Sequence, residues 1–169
     1  MNTHQTNRGL TLSVLPEDEW GLTPSVLSAI QSVDDPEYPG ISVVELGLLE
    51  SVEVNGTAVT VGLIPTFSGC PALAMIADDV RAAVLTVPGV QTVDVTWLRS
   101  PVWTVDRTTP EARSKMAQEF TVAVRVGASE PACPLCGSAT AHESLFGPSR
   151  CRSVSRCTTC GETVEVMRS

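Results

Sequence analysis

Apolar positions along the first 130 residues switch between a helical and a strand period. Thr23-Pro24 reads as an N-cap and first helical residue, and Val26, Leu27, Ile30 and Val33 follow at helical spacing. Asp34-Asp35-Pro36 ends this helix, because the residue before a proline is pushed out of the α region. Glu37-Tyr38-Pro39-Gly40 is then a constrained loop. Ile41 to Val54 is rich in β-branched and apolar residues but interrupted at Gly47, which predicts a strand pair or a bulged strand. Asn55-Gly56 predicts a two-residue hairpin turn, and Ala58 to Ile64 a return strand with Val59, Val61 and Leu63 on one face. After a loop from Pro65 to Pro71, Leu73, Ile76, Val80 and Val84 mark one side of a helix over Ala72 to Thr86. Gln91 to Leu98 alternates, with Val93, Val95 and Trp97 against Thr92, Asp94 and Thr96, as a strand does. Thr109-Pro110 opens a further helix through Glu119, and Thr121 to Val126 a short strand. The order α-β-β-α-β plus an extra helix predicts an α+β fold, a small mixed sheet covered by helices.

Composition adds a boundary. The chain has 169 residues, enough for one ordinary domain or a smaller domain with a metal-stapled module. Hydrophobic residues are 43% and charged residues 18%, which excludes disorder throughout; aromatics are 4%, so the core must be built from Val, Leu, Ile and Ala. The net charge of −8 is unevenly held. Residues 1–132 carry 7 basic and 16 acidic side chains (net −9), and residues 133–169 carry 4 and 3 (net +1). With the small-residue linker Ala128 to Ala132, this divides the chain into a flexible lead (1–19), an α+β domain (20–127) and a ribbon-like domain (128–169). The polar stretch Met1 to Leu10 lacks a secretory apolar segment, and no apolar run nears the roughly 20 residues that span a bilayer. The expected location is therefore the cytoplasm, where paired cysteines bind metals more often than they form disulfides. An acidic body makes poor phosphate contacts, and Arg150, Arg152 and Arg156 are only a weak footprint, so a protein partner is expected rather than nucleic acid or membrane.

Five of the six cysteines lie between Cys133 and Cys160. Cys133-Pro134-Leu135-Cys136 and Cys157-Thr158-Thr159-Cys160 are two C-x2-C knuckles, 20 residues apart, each followed by a glycine. Such turns aim paired thiolates at one ion, and four thiolates close a tetrahedron. Zinc in a structural role is the first reading; iron or an iron–sulfur cluster takes the same ligands. Cys151 falls outside the knuckles as a spare thiol, an alternative ligand or a core residue, and His142 reads as a solvated loop residue rather than a ligand. Cys70 stands alone in Thr66-Phe67-Ser68-Gly69-Cys70-Pro71, at or beside the N-cap of the second long helix. Helix-terminal amides there favour a thiolate, making Cys70 a candidate reactive or metal-binding thiol; the plainer reading is a buried small hydrophobe. Asp35 and Glu37 project from a proline-fixed loop, without a partner that would assign them acid–base work. A Cys70 nucleophile would need a base, and the only histidines are His4 and His142.

Taken together, Asp35-Pro36-Glu37-Tyr38-Pro39, Glu45-Leu46-Gly47 and Ser68-Gly69-Cys70-Pro71 resemble the MIP-type iron–sulfur assembly domain. Trp103-Thr104, then Thr109-Pro110-Glu111-Ala112-Arg113, then the four-Cys ribbon narrow the resemblance to the PaaD (PaaJ) family, over roughly residues 20–167. Two departures stand out: Tyr38 where an aliphatic residue is usual, and Glu45 where Asp is common. The resemblance implies a non-catalytic accessory or maturation protein of the multicomponent phenylacetyl-CoA epoxidase in phenylacetate catabolism. It implies that Cys70, with Asp35 and Glu37 nearby, holds iron or an iron–sulfur cluster transiently. The implied partners are the epoxidase catalytic subunits or the iron–sulfur flavin reductase, with a homodimer as a way to supply a second thiolate. The alternative is a docking or structural component of the complex in which Cys70 is merely packed.

Overall fold

The computed structural model describes residues 22–167; the expected lead (1–19), with His4, lies outside the described residues. Helix α1 (Thr23–Gln31) buries Val26 and Ile30. It begins with Leu22 in the cap position, because the Val26 amide already bonds the Leu22 carbonyl; Thr23 is therefore helical and caps nothing. Strands β1 (Asp34–Asp35) and β2 (Tyr38–Ser42) form a short antiparallel pair around the Pro36-Glu37 turn. The interruption foreseen at Gly47 is a turn, not a bulge. Ser42 and Glu45 hydrogen-bond one another's backbone amides through their side chains, the reciprocal pattern of a capping box.

Strands β3 (Leu49–Asn55) and β4 (Ala58–Leu63) make the expected antiparallel hairpin. Its two unpaired residues are Gly56-Thr57, one later than expected, with Gly56 at φ +61°, the conformation that the first position of such a loop reserves for glycine. Helix α2 (Leu73–Leu85) crosses back and delivers β5 (Thr92–Trp97) parallel to β4, giving a three-stranded sheet β3-β4-β5. A single 3-10 turn (Val105–Arg107) leads into α3 (Pro110–Phe120), where the Thr109 hydroxyl accepts the Ala112 amide as an N-cap should. The sheet buries Val54, Val59, Val61 and Leu63 against Val26 and Ile30 of α1 and Ile76, Val80 and Val84 of α2. Trp103 is tied to this core by its indole N–H, 2.9 Å from the Leu46 carbonyl. The observed fold is the expected α+β body followed by a four-Cys module.

The C-terminal region forms a four-stranded sheet, β6-β9-β8-β7. Strand β6 (Val122–Val124) follows α3 directly and pairs in parallel with β9 (Thr163–Met167). Strand β8 (Arg152–Cys157) lies between β9 and β7 (Thr140–Ser144), antiparallel to both. One hydrogen-bonded ladder therefore passes from the end of the helical body into the cysteine-rich segment, across residue 127. Among the described residues no helix is long and apolar enough to cross a membrane.

Candidate functional site

The four knuckle cysteines converge. Each offers a sulfur, and the four sulfurs lie within 4.8 Å of one another. Cys133 and Cys160 are 3.8 Å apart, Cys136 and Cys160 3.6 Å, and Cys136 and Cys157 3.4 Å. A tetrahedron with metal–sulfur bonds of about 2.3 Å has sulfurs about 3.8 Å apart, so the donor set fits one tetrahedral metal ion. Gly137 and Gly161 adopt φ +73° and +74°, the turn conformation that lets each knuckle fold back, and each amide bonds the carbonyl of its knuckle's first cysteine. Hydrogen bonds from Ser138 hold the Cys136 thiol down at about 6, and the Cys160 and Thr159 amides lower Cys157. The Glu162 amide favours a Cys160 thiolate too, but the adjoining sulfurs and desolvation outweigh it and push Cys160 up to about 12. Four thiolates cannot all be charged at this spacing without a cation, so metal binding must release protons. His142 is exposed on β7, outside this group.

The second constellation is built across the two modules. Cys70 lies two residues before the cap position Ala72, not at the cap: the Leu73 amide reaches the Cys70 carbonyl in a tight turn that delays α2. Its half-buried thiol lines a small cavity together with Asp35, Glu37, Tyr38 and Cys151. Asp35 Oδ1 accepts the Glu37 amide at 2.8 Å, which fixes the acidic turn. Burial pushes the Asp35 carboxyl up, and the Glu37 amide only partly offsets this. Glu45 is turned away into its own loop, bonded to the Ser42 amide.

Three residues that carry this arrangement were not assigned from sequence. Ser149 donates to Glu37 Oε1 at 2.7 Å, and Arg152 donates to Glu37 Oε2 at 3.0 Å and to Glu165 Oε2 at 2.6 Å. Arg152 is only 8% exposed and its guanidinium stacks 4.7 Å over the Tyr38 ring, which also meets Phe120 edge-on. Desolvation disfavours this charge, yet Glu165, Tyr38 and Glu37 together hold it firmly on the guanidinium. Arg152 is thus an internal clamp rather than part of a phosphate footprint, and Arg156 pairs with Glu143. Tyr38 has a reason as well: its ring is the platform on which the ribbon's arginine rests. Cys151, left over by the knuckle spacing, is brought to the cavity by the same loop; burial raises its thiol. A leftover cysteine next to an arginine was the one signal available.

Comparison with known proteins gives two family matches. Residues 24–96 match the family described as "Iron-sulfur cluster assembly protein", and residues 117–168 the "PaaD zinc beta ribbon domain". The second match begins ahead of β6, the strand that joins the ribbon's sheet. A Bacillus subtilis protein named "Fe-S protein maturation auxiliary factor YitW" is 32% identical over 53% of this chain and 87% of its own. A crystal structure from Bacillus anthracis, described as a "Domain of Unknown Function DUF59", superposes with a TM-score of 0.53 and 26% identity over 56% of this chain and 91% of its own. An Escherichia coli K12 protein, named as one component of a "Putative 1,2-phenylacetyl-CoA epoxidase", is 31% identical over 85% of this chain and 90% of its own. With that similarity along most of both chains, and an assembly domain followed by a PaaD-type ribbon, the chain belongs to the PaaD family.

Proposed function

We propose that this protein is a non-catalytic maturation factor for a multicomponent phenylacetyl-CoA epoxidase in phenylacetate catabolism. Cys70 takes up iron or an iron–sulfur cluster as cargo and passes it to the epoxidase catalytic subunits or to their iron–sulfur flavin reductase in the cytoplasm. The observation that carries this reading is the meeting of Cys70 with Asp35 and Glu37 at one cavity, although Cys70 lies 33 residues beyond Glu37 in sequence. A soft thiolate beside hard carboxylates suits iron, and sparse ligation by one chain suits a cargo that must leave. The name of the Bacillus subtilis relative and the epoxidase naming of the Escherichia coli relative point the same way. In the ribbon the resident ion is zinc, held by Cys133, Cys136, Cys157 and Cys160; four protein ligands leave no open position, so its role is structural.

The test is Cys70→Ser in cells that depend on the epoxidase. The fold is expected to stay intact, because a half-buried thiol becomes a hydroxyl of similar size, while epoxidase activity is lost. Anaerobic reconstitution should give a cluster chromophore in the wild type that disappears in Cys70→Ser. Full epoxidase activity in the Cys70→Ser strain overturns the reading and leaves a docking role in which the thiol is merely packed.

A further inference from the structure

We propose that Cys70 and Cys151 are the two thiolate ligands of a single soft-metal site, one donated by each module, in the cavity beside Asp35 and Tyr38. The pair deepens the carrier reading, on which the identity of the cargo as iron rests. Both cysteines line the small cavity of about 20 Å³, room for a bare ion, and both line the adjoining cleft of about 270 Å³ beside Glu37, which has room for a hydrated ion or a small cluster. Cys151 arrives there on the segment leading into β8, held down by the Ser149 and Arg152 bonds to Glu37.

Three observations point to a cation. First, the cavity gathers Asp35, Glu37 and two thiols against Arg152, whose guanidinium is already engaged by Glu37 and Glu165. Second, Cys70 and Cys151 share the lining of both the small cavity and the adjoining cleft with Glu37, so a cation seated there meets a carboxylate and two sulfurs. Third, Tyr38 lines the same cavity and is 2% exposed, and its buried hydroxyl has no hydrogen-bond partner among the described residues. A buried hydroxyl left unpaired is costly, and a thiolate or sulfide acceptor would satisfy it.

Among the described residues only the ribbon cysteines bring three or more ligating atoms within 4.8 Å, so the cavity pair is an open, two-thiolate site. On binding, each thiol loses its proton to solvent as its sulfur bonds the metal, and no electron changes hands. Because the ligands belong to different modules, lifting the residue 147–151 segment removes one of them, which gives the cargo an exit.

The experiment uses the full chain, reduced, loaded with zinc to one ion per chain and titrated with Co²⁺ alone under argon. Zinc content is measured before and after, so exchange in the ribbon is seen. The wild type should bind one further ion with a sulfur-to-cobalt charge-transfer band. Loss of a partner that merely orients a ligand costs 10–100-fold in metal affinity, so Cys70→Ser and Cys151→Ser should each weaken binding by about 100-fold and halve the band. In the wild type, Co²⁺ should shield Cys70 and Cys151 together from alkylation, a readout that needs no variant to fold. Cobalt binding by Cys151→Ser within twofold of the wild type, or shielding of Cys70 alone, overturns the two-thiolate site but leaves a one-thiol carrier standing. Wild-type binding by both variants overturns the two-thiolate site and leaves Cys70 without a metal role.

Discussion

The assembly domain and the ribbon hold themselves together with different materials. In the first, a continuous apolar cluster runs from Val26 and Ile30 through Val59, Val61 and Leu63 to Ile76, Val80 and Val84. In the second, the cluster is Ala123, Cys133, Cys157, Val164 and Val166, and two of these are thiols of the metal-binding group. The contrast follows from size: a segment of about 40 residues cannot bury enough apolar surface to offset its chain entropy, so metal bonds replace the missing core. It also explains why the ribbon leans on the body. Strand β6 extends the ribbon's sheet, Met167 of β9 is buried in the body's core, and Arg152 reaches Glu37 and Tyr38.

Metal removal should break the comparison most sharply. Structural zinc is worth on the order of 10 kcal/mol to small domains of this kind, far more than the ribbon's apolar cluster. Chelation, or Cys157→Ser, should expose the amides of β7, β8 and β9 to rapid hydrogen exchange while β3, β4 and β5 stay protected. Protection of β8 and β9 in metal-free protein would mean that contact with the body, not the ion, folds the ribbon. Acid should act in the same direction: affinity falls with pH, more steeply below about 6, where Cys136 also has to surrender a proton.

A smaller effect is expected where the two regions meet. Arg152→Ala removes both carboxylate bonds and the stacking on Tyr38. Breaking a fully buried pair costs about 3–5 kcal/mol, but Glu37 and Glu165 are partly solvated, so a loss of about 1–2 kcal/mol in urea unfolding of the metal-loaded protein is expected. The Arg152→Ala and Glu37→Gln pair should be non-additive, since each leaves the other's partner behind. Additive losses would show that the Arg152–Glu37 bond does not help to join the two modules.

These two regions were also unequally legible. The helices and the hairpin of the body announce themselves through apolar periodicity and through Thr109-Pro110 at a helix start, and only their ends shift by a residue or two. The knuckles were readable from spacing, because metal geometry is written in local sequence. Apart from β6, expected over Thr121 to Val126, the ribbon's strands were not. In β8 the inward positions include Ser153 and Ser155, 1% and 0% exposed, so polar residues occupy buried places and the period-two signal vanishes. Ser155 is accommodated by a 2.9 Å bond to Glu130, a partner that no local pattern reveals. The meeting of Cys151 with Cys70 is likewise a product of tertiary packing, and so is the pairing of Arg152, read in sequence as part of a weak phosphate footprint, with Glu37.

The smallest effect expected is also the most informative about the cavity. Asp35 keeps its carboxyl above the ordinary 3.8 because it is buried, with the Glu37 amide opposing and the Glu37 charge reinforcing the shift. A raised carboxyl prefers to be protonated in the folded state, so the folded protein binds more protons than the unfolded chain between 3.8 and the raised value. Stability is therefore lost as pH climbs through that window. Asp35→Asn retains an oxygen to accept the Glu37 amide but carries no charge. Its advantage over the wild type should be under about 1 kcal/mol at pH 7, shrink as pH falls, and vanish below 3.8, by thermal unfolding across a pH series. A gain that ignores pH would assign the effect to shape rather than charge. The same substitution takes a negative charge from the cavity proposed to hold a cation, so the variant that folds better should bind Co²⁺ less well. A carboxylate that costs the metal-free protein stability is what a site built for a departing metal ion would be expected to keep.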